Sequence, residues 1–220
     1  FASSISGIFL ATRGHFNWAI FCLAFSGLCD MFDGKIARTK KNRTDDEKNF
    51  GIQIDSLCDL ISFGVFPVVL CWYSGMNTPL GMFILVLYCL AGMIRLAYYN
   101  VLEEKKNNDD YDSEVIEAPD GRKYFHGMPI TAIAVGLPIV YVTSPLLGEY
   151  FPIVLHIIMI LAMILFITDF RFPKPTSKEL TVIIVIVAVA VVWLLIRYMA
   201  KRHIIDVPLL FLSYVRGIMQ

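Results

Sequence analysis

Hydrophobic residues in this chain fall into long unbroken blocks separated by short polar gaps. The blocks cover residues 1–12, 16–38, 52–74, 79–101, 127–147, 150–168, 180–199 and 204–219. Most are near the roughly 20 residues that a helix needs to cross a hydrocarbon core about 30 Å thick. Strict apolar/polar alternation is absent, so the blocks predict helices rather than the strands of a membrane barrel. The sequence starts at Phe1 inside an apolar stretch with no basic region or cleavage site, so residues 1–12 are not read as a signal peptide but are expected to be the end of a first membrane helix that begins upstream. The predicted architecture is an all-α integral membrane protein. It is a polytopic bundle of six core transmembrane helices over residues 1–175, with one or two additional helices over 176–220.

Composition agrees with the pattern. Of 220 residues, 57% are hydrophobic and 17% charged, with mean hydropathy +0.64. Soluble domains carry about 25% charged residues. A disordered chain, a collagen, a disulfide scaffold and a nucleic-acid-binding domain with a basic face are all excluded. Five cysteines (Cys22, Cys29, Cys58, Cys71, Cys89) lie in or beside apolar blocks without a CxxC pair, and read as small apolar residues.

The net charge of zero, 19 cations against 19 anions, hides an uneven distribution. Lys35, Arg38, Lys40, Lys41, Arg43 and Lys48 flank or fill gap 39–50. Gap 102–126 holds Lys105, Lys106, Arg122 and Lys123, and gap 169–179 holds Arg171, Lys174 and Lys178. These gaps alternate with the almost uncharged turns 75–78 and 147–149, so the excess of Lys and Arg predicts that all three face the cytoplasm. Arg197, Lys201, Arg202 and His203 would lie outside if 180–199 spans fully. Either 204–219 does not span, or this end is interfacial. The acidic run Asp109, Asp110, Asp112, Glu114 and Glu117 lacks the ligand order of a calcium loop and reads as a solvated segment. Asn42-Arg43-Thr44 matches a glycosylation sequon but falls on the predicted cytoplasmic side.

Four acids sit inside apolar blocks: Asp30 and Asp33 at the end of one, Asp55 and Asp59 at the start of the next. A carboxylate at the centre of a membrane helix costs about 2.5–3.5 kcal/mol on insertion scales. Spacings of three and four residues put each pair on one helix face, with Gly34 and Ala37 beside the first pair and Gly51 and Ser62 in line with the second. If the two helices form a hairpin, the two stripes meet. Four clustered carboxylates raise one another's pKa and call for a counter-charge. Lys35 and Arg38 offer one as an ion-pair network, and divalent cations another. Hard oxygen ligands without Cys or His point to Mg²⁺, Mn²⁺ or Ca²⁺ rather than Zn²⁺. Four carboxylates are enough for two ions, an arrangement that clamps phosphates during in-line displacement.

The run Asp30-Met-Phe-Asp33-Gly34-Lys-Ile-Ala37-Arg38, followed by Gly51-Ile-Gln-Ile-Asp55-Ser-Leu-Cys-Asp59, resembles the signature of the CDP-alcohol phosphotransferases, D-x2-D-G-x2-A-R…G-x3-D-x3-D. All eight defined positions match, and the twelve residues between Arg38 and Gly51 are more than is usual there. Three further stretches resemble the phosphatidylserine synthase subgroup: Asp55-Ser-Leu-Cys-Asp59-Leu-Ile-Ser-Phe-Gly-Val-Phe-Pro67, Ile94-Arg95-Leu-Ala-Tyr-Tyr-Asn100 and Tyr124-Phe125-His126-Gly127-Met-Pro129. Arg171-Phe172-Pro173 fits the same subgroup. The resemblance covers residues 10–175.

It implies transfer of the phosphatidyl group of CDP-diacylglycerol to L-serine, with release of CMP. Carried over position by position, Asp30, Asp33, Asp55 and Asp59 are expected to hold two Mg²⁺ or Mn²⁺ ions, with Ca²⁺ also compatible. Asp59 would double as general base. Gly34, Ala37, Arg38 and Gly51 would line the CDP site, and Arg95, Asn100 and His126 are candidates for binding serine. Arg95 also has the option of snorkelling to headgroups. The resemblance further implies a homodimer in the cytoplasmic membrane, with its active site facing the cytoplasm and no nucleic-acid partner. Two enzymatic rivals are transfer to glycerol phosphate or to inositol phosphate. A divalent-cation transporter is the rival of another class, and a catalytically inactive relative a further one. Transport sites usually lie near midplane on broken helices with repeat symmetry, and neither feature is visible here.

Overall fold

The computed structural model describes residues 1–37, 39, 44–107, 124–173, 179, 181–182, 184–197 and 199. Helix α1 (Ala2–Thr12) turns tightly into α2 (Phe16–Ala37). Helix α3 (Asp45–Asp59) runs through a π-helical stretch, Leu60–Val65, into α4 (Phe66–Tyr73) as one continuous rod. Then come α5 (Pro79–Asn107), α6 (Ile133–Leu147), α7 (Phe151–Ile167) and the shorter α8 (Ile184–Arg197). Asp46–Tyr73, Pro79–Leu102 and Ile130–Ile167 are long and apolar enough to cross a membrane, while Ala2–Thr12 and Ile184–Arg197 are shorter apolar helices. The chain is a multi-pass membrane protein whose described residues are mostly helical. Among the described residues the exception to helix is a three-residue ribbon, β1 (Tyr124–His126) antiparallel to β2 (Arg171–Pro173).

The apolar blocks correspond to these helices, with two extensions. The third block was expected at 52–74, but its helix begins at Asp45. Thr44 caps it: the Glu47 backbone N–H donates to Thr44 Oγ1, and the Thr44 N–H donates to Glu47 Oε2, each at 3.2 Å. This capping box starts two polar turns that hydropathy alone does not count as helix. It also uses the threonine of the sequon. Helix α5 likewise runs past the apolar block to Asn107.

Topology follows from the contacts at the helix ends. Gly148 has φ +52 and turns α6 back on itself as α7, with Tyr141 packed edge-on against Phe151 at 5.1 Å. The ribbon joins the segment before α6 to the segment after α7, so both outer ends of this hairpin lie together. At the same end Ser56 of α3 meets Asn100 of α5, and the Gly127 turn meets Arg95 of α5. The described flanks of the three cationic gaps therefore share one end of the bundle. At the other end, Gly14, His15, Asn17, Ser74, Tyr141 and Phe151 surround a cavity of about 300 Å³.

The packing is that of helices in lipid. On α5, Ile84, Leu85, Tyr88 and Ala91 are buried, while Leu80, Phe83, Val86 and Leu90 face outward. Lipid is as apolar as the protein, so close fit rather than water exclusion selects the contacts, and small residues mark them. A β-carbon on Gly7 would lie 2.2 Å from the Phe66 ring, and one on Gly27 would lie 2.7 Å from Ala134 Cβ. These two glycines let α1 approach α4 and let α2 approach α6. On α8, Val187, Val191 and Leu194 form the buried stripe, and the Arg197 guanidinium lies 4.7 Å from the centre of the Trp193 ring. The predicted helix over 204–219, and Lys201, Arg202 and His203 before it, lie outside the described residues.

Candidate functional site

Asp30 projects from α2 two turns before its end, and Asp55 and Asp59 from the last turns of α3. A spacing of four puts the latter two on one face. One carboxylate oxygen from each of the three lies within 4.8 Å of the others. Asp30 and Asp59 are half-buried and in side-chain contact with each other, and Asp55 is exposed. Metal–oxygen bonds of roughly 2.1–2.6 Å place the ligand oxygens of one ion roughly 3–5 Å apart, so the three oxygens fit a single hard cation. The donor set agrees, being carboxylate oxygen throughout. Asp33, expected as a fourth member, is exposed and is not one of the three converging oxygens, and it lies within electrostatic range of Asp30, Asp55 and Asp59. Three carboxylates brought to one point repel one another when ionised, and a divalent cation would supply the counter-charge.

The CDP-site candidates are only partly described. Gly34 and Ala37 lie on the last turns of α2 and Gly51 on α3, while Arg38 falls outside the described residues. The serine-site candidates separate. Asn100 accepts a hydrogen bond on Oδ1 from Ser56 Oγ at 2.8 Å, which places it beside the turn between Asp55 and Asp59. Arg95 is 5% exposed. Its guanidinium packs against the Gly127 turn and lies within electrostatic range of Asp169 and of Tyr98 and Tyr99. Gly127 has φ +68, which favours glycine, and its N–H donates to the Phe170 carbonyl at 2.6 Å. His126 is placed by its backbone in β1, next to that turn.

Several residues near the site were not singled out from sequence. Ser56 orients Asn100, and Asp169 sits by Arg95. The π-helical stretch begins directly after Asp59, and such widened turns recur at functional sites. Asp169 carried no signal, because its nearness to Arg95 depends on the fold-back of α7.

The model of the family described as CDP-alcohol phosphatidyltransferase matches residues 1–193. An archaetidylserine synthase of Methanothermobacter thermautotrophicus is 30% identical over 174 residues, which is 79% of this chain and 65% of that protein. A CDP-diacylglycerol–serine O-phosphatidyltransferase of Helicobacter pylori is 35% identical over 130 residues, 58% of this chain and 47% of that one. The Saccharomyces cerevisiae protein of the same description is 35% identical over 117 residues, 52% of this chain and 38% of that one. The chain thus spans between about two fifths and two thirds of the length of these relatives. The matched region contains every described element from α1 to β2, the three converging carboxylates among them, and the chain belongs to the CDP-alcohol phosphatidyltransferase family.

Proposed function

We propose that this protein is a phosphatidylserine synthase, transferring the phosphatidyl group of CDP-diacylglycerol to the hydroxyl of L-serine. The observation that carries the reading is the convergence of Asp30, Asp55 and Asp59, which are family-motif positions, on one oxygen-lined point. The serine oxygen forms a bond to the lipid-side phosphorus as the diphosphate P–O bond breaks, and CMP leaves. Asp59 takes the hydroxyl proton, a task for a half-buried carboxylate held against the nucleophile. Asp30, Asp33 and Asp55, with Asp59, would hold two Mg²⁺ or Mn²⁺ ions, which when bound would offset the charge of the diphosphate. Gly34, Ala37 and Gly51 leave the helix faces free of bulk for the nucleotide, and Arg38 is suited to a bidentate phosphate contact. Arg95 provides the positive charge for the serine carboxylate, Asn100 provides an amide whose Nδ2–H₂ remains free to donate once Oδ1 accepts from Ser56, and His126 flanks them. In this reading the site opens to the cytoplasm of the cell membrane, and two copies of the chain assemble as a homodimer.

The experiment is CMP release from CDP-diacylglycerol in nanodiscs, with labelled serine, glycerol phosphate or inositol phosphate offered in turn. Phosphatidylserine as the product supports the reading. Product from an anionic acceptor and none from serine would move the chain to another branch. Mn²⁺ flux into liposomes without CMP release would instead make it a transporter.

A further inference from the structure

One turn away from the facing carboxylates lies a buried cluster of hydroxyls. Ser4 of α1 is completely buried, and its hydroxyl donates to Ser62 Oγ at 2.7 Å and lies 2.8 Å from Ser26 Oγ. Ser26 also donates to the Cys22 carbonyl at 2.9 Å. Ser26 precedes Asp30 by four residues on α2, and Ser62 follows Asp59 by three, inside the π-helical stretch. A single side chain of a third helix thus bridges the two helices that carry the acids, on the same faces as the acids.

Among the described residues these two helices touch each other less than α1 touches either of them. Packing between the two helices therefore does little to set the separation of Asp30 and Asp59, whose side chains are in contact with each other. The π-helical stretch is held from its other side as well. The Tyr88 hydroxyl on α5 donates to the Phe63 carbonyl at 2.6 Å. A β-carbon on Gly64 would lie 3.1 Å from Leu60 Cδ1 of the same stretch and 3.8 Å from Cys89 Sγ of α5. The widened turn that directly follows Asp59 is fixed by a hydroxyl from α1 and a hydroxyl from α5.

We propose that Ser4, Ser26 and Ser62, with Tyr88 opposite, are positioning residues that set the distance between Asp30 and Asp59 and thereby the affinity of the site for a divalent cation. Hydroxyl bonds between membrane helices generally serve as glue. Here their register ties them to the acids, so loss of the bridge should act on cation binding beyond any loss of stability. The inference rests on the reading of the acidic cluster as a cation site.

The test measures Mn²⁺ affinity by electron paramagnetic resonance on the full chain in nanodiscs, together with the melting temperature, kcat and KM. Ser62→Ala, Ser4→Ala and Tyr88→Phe are each expected to weaken Mn²⁺ binding several-fold and to lower kcat at limiting metal, with KM for the lipid unchanged. The Ser4→Ala/Ser62→Ala pair should be no worse than either alone, because both remove one bridge. Ser6→Ala, whose exposed hydroxyl donates to the Ala2 carbonyl of its own helix, should change none of these. A lower melting temperature with unchanged Mn²⁺ affinity in the serine variants and in Tyr88→Phe would overturn the proposal. Asp59→Asn separates the two levels: if it too leaves Mn²⁺ binding intact, the cation-site reading fails as well. If it abolishes binding while the hydroxyl variants do not, only the positioning role fails.

Discussion

The Arg95 guanidinium rests against Gly127, where a β-carbon would lie 2.9 Å from Nη1. The same hypothetical atom would lie 2.9 Å from the Thr168 carbonyl, so the glycine is closed in on two sides. One turn thus joins the buried cation of α5 to the chain that leaves α7. Gly127→Ala meets two obstacles, its φ of +68 and this lack of room. A left-handed conformation costs an alanine roughly 1–2 kcal/mol before any clash. The variant should melt at lower temperature and show a raised KM for serine, with KM for CDP-diacylglycerol little changed. Kinetics with each substrate varied in turn would check it.

Ser56 and Asn100 give a second, milder prediction. Ser56→Ala leaves Asn100 without the donor that orients its amide. Loss of one such hydrogen bond removes about 0.5–1.5 kcal/mol, or a factor of roughly 2–10 in affinity. The expected result is a serine KM raised within that range and a kcat near that of the parent protein. An unchanged KM would show that Asn100 does not meet the acceptor alcohol.

Removal of the cation should act through the three converging carboxylates. Chelation is expected to stop CMP release, and Mg²⁺ or Mn²⁺ to restore it. Asp59→Asn keeps the shape but removes both a ligand and the proposed base, and should lower kcat by about 10²–10⁴-fold without unfolding the chain. Asp33→Asn should do less, because Asp33 is exposed and outside the three-oxygen group. Parallel metal titrations of the two variants would establish the order.

The cap of α3 makes a prediction about stability alone. Thr44→Ala removes the side chain that accepts from the Glu47 N–H, at a cost of about 1 kcal/mol. Thr44 lies three helical turns from Asp55, so the effect should appear as fraying of the first turns of α3, measured by hydrogen exchange, with kcat nearly intact.

Much of this was legible in the residues. The apolar blocks marked the helices because only a helix satisfies its own backbone in lipid, whatever its neighbours. Asp55 and Asp59 were certain to share a face, since a spacing of four is a property of one helix. Asp30 was expected to meet them and does. The capping box around Thr44 could be read from its spacing, yet the polar turns it begins fell outside an apolar count.

What only the tertiary structure decided is which faces meet. A membrane helix that is apolar all round does not announce its buried side, as α5 demonstrates with Phe83 turned outward and Tyr88 completely buried. The choice is made by steric fit at Gly7 and Gly27, and by a few hydroxyls that find one another. That is why Ser4 bridging to Ser62, Asp169 near Arg95, and Asp33 beside rather than among the three converging oxygens emerge only from the folded chain. The sequence determined the chemistry available at one end of the bundle, because residue type and helical spacing are local. The distances at which that chemistry operates were set by helices far apart in the chain, because in lipid only close packing and hydrogen bonds distinguish one arrangement from another.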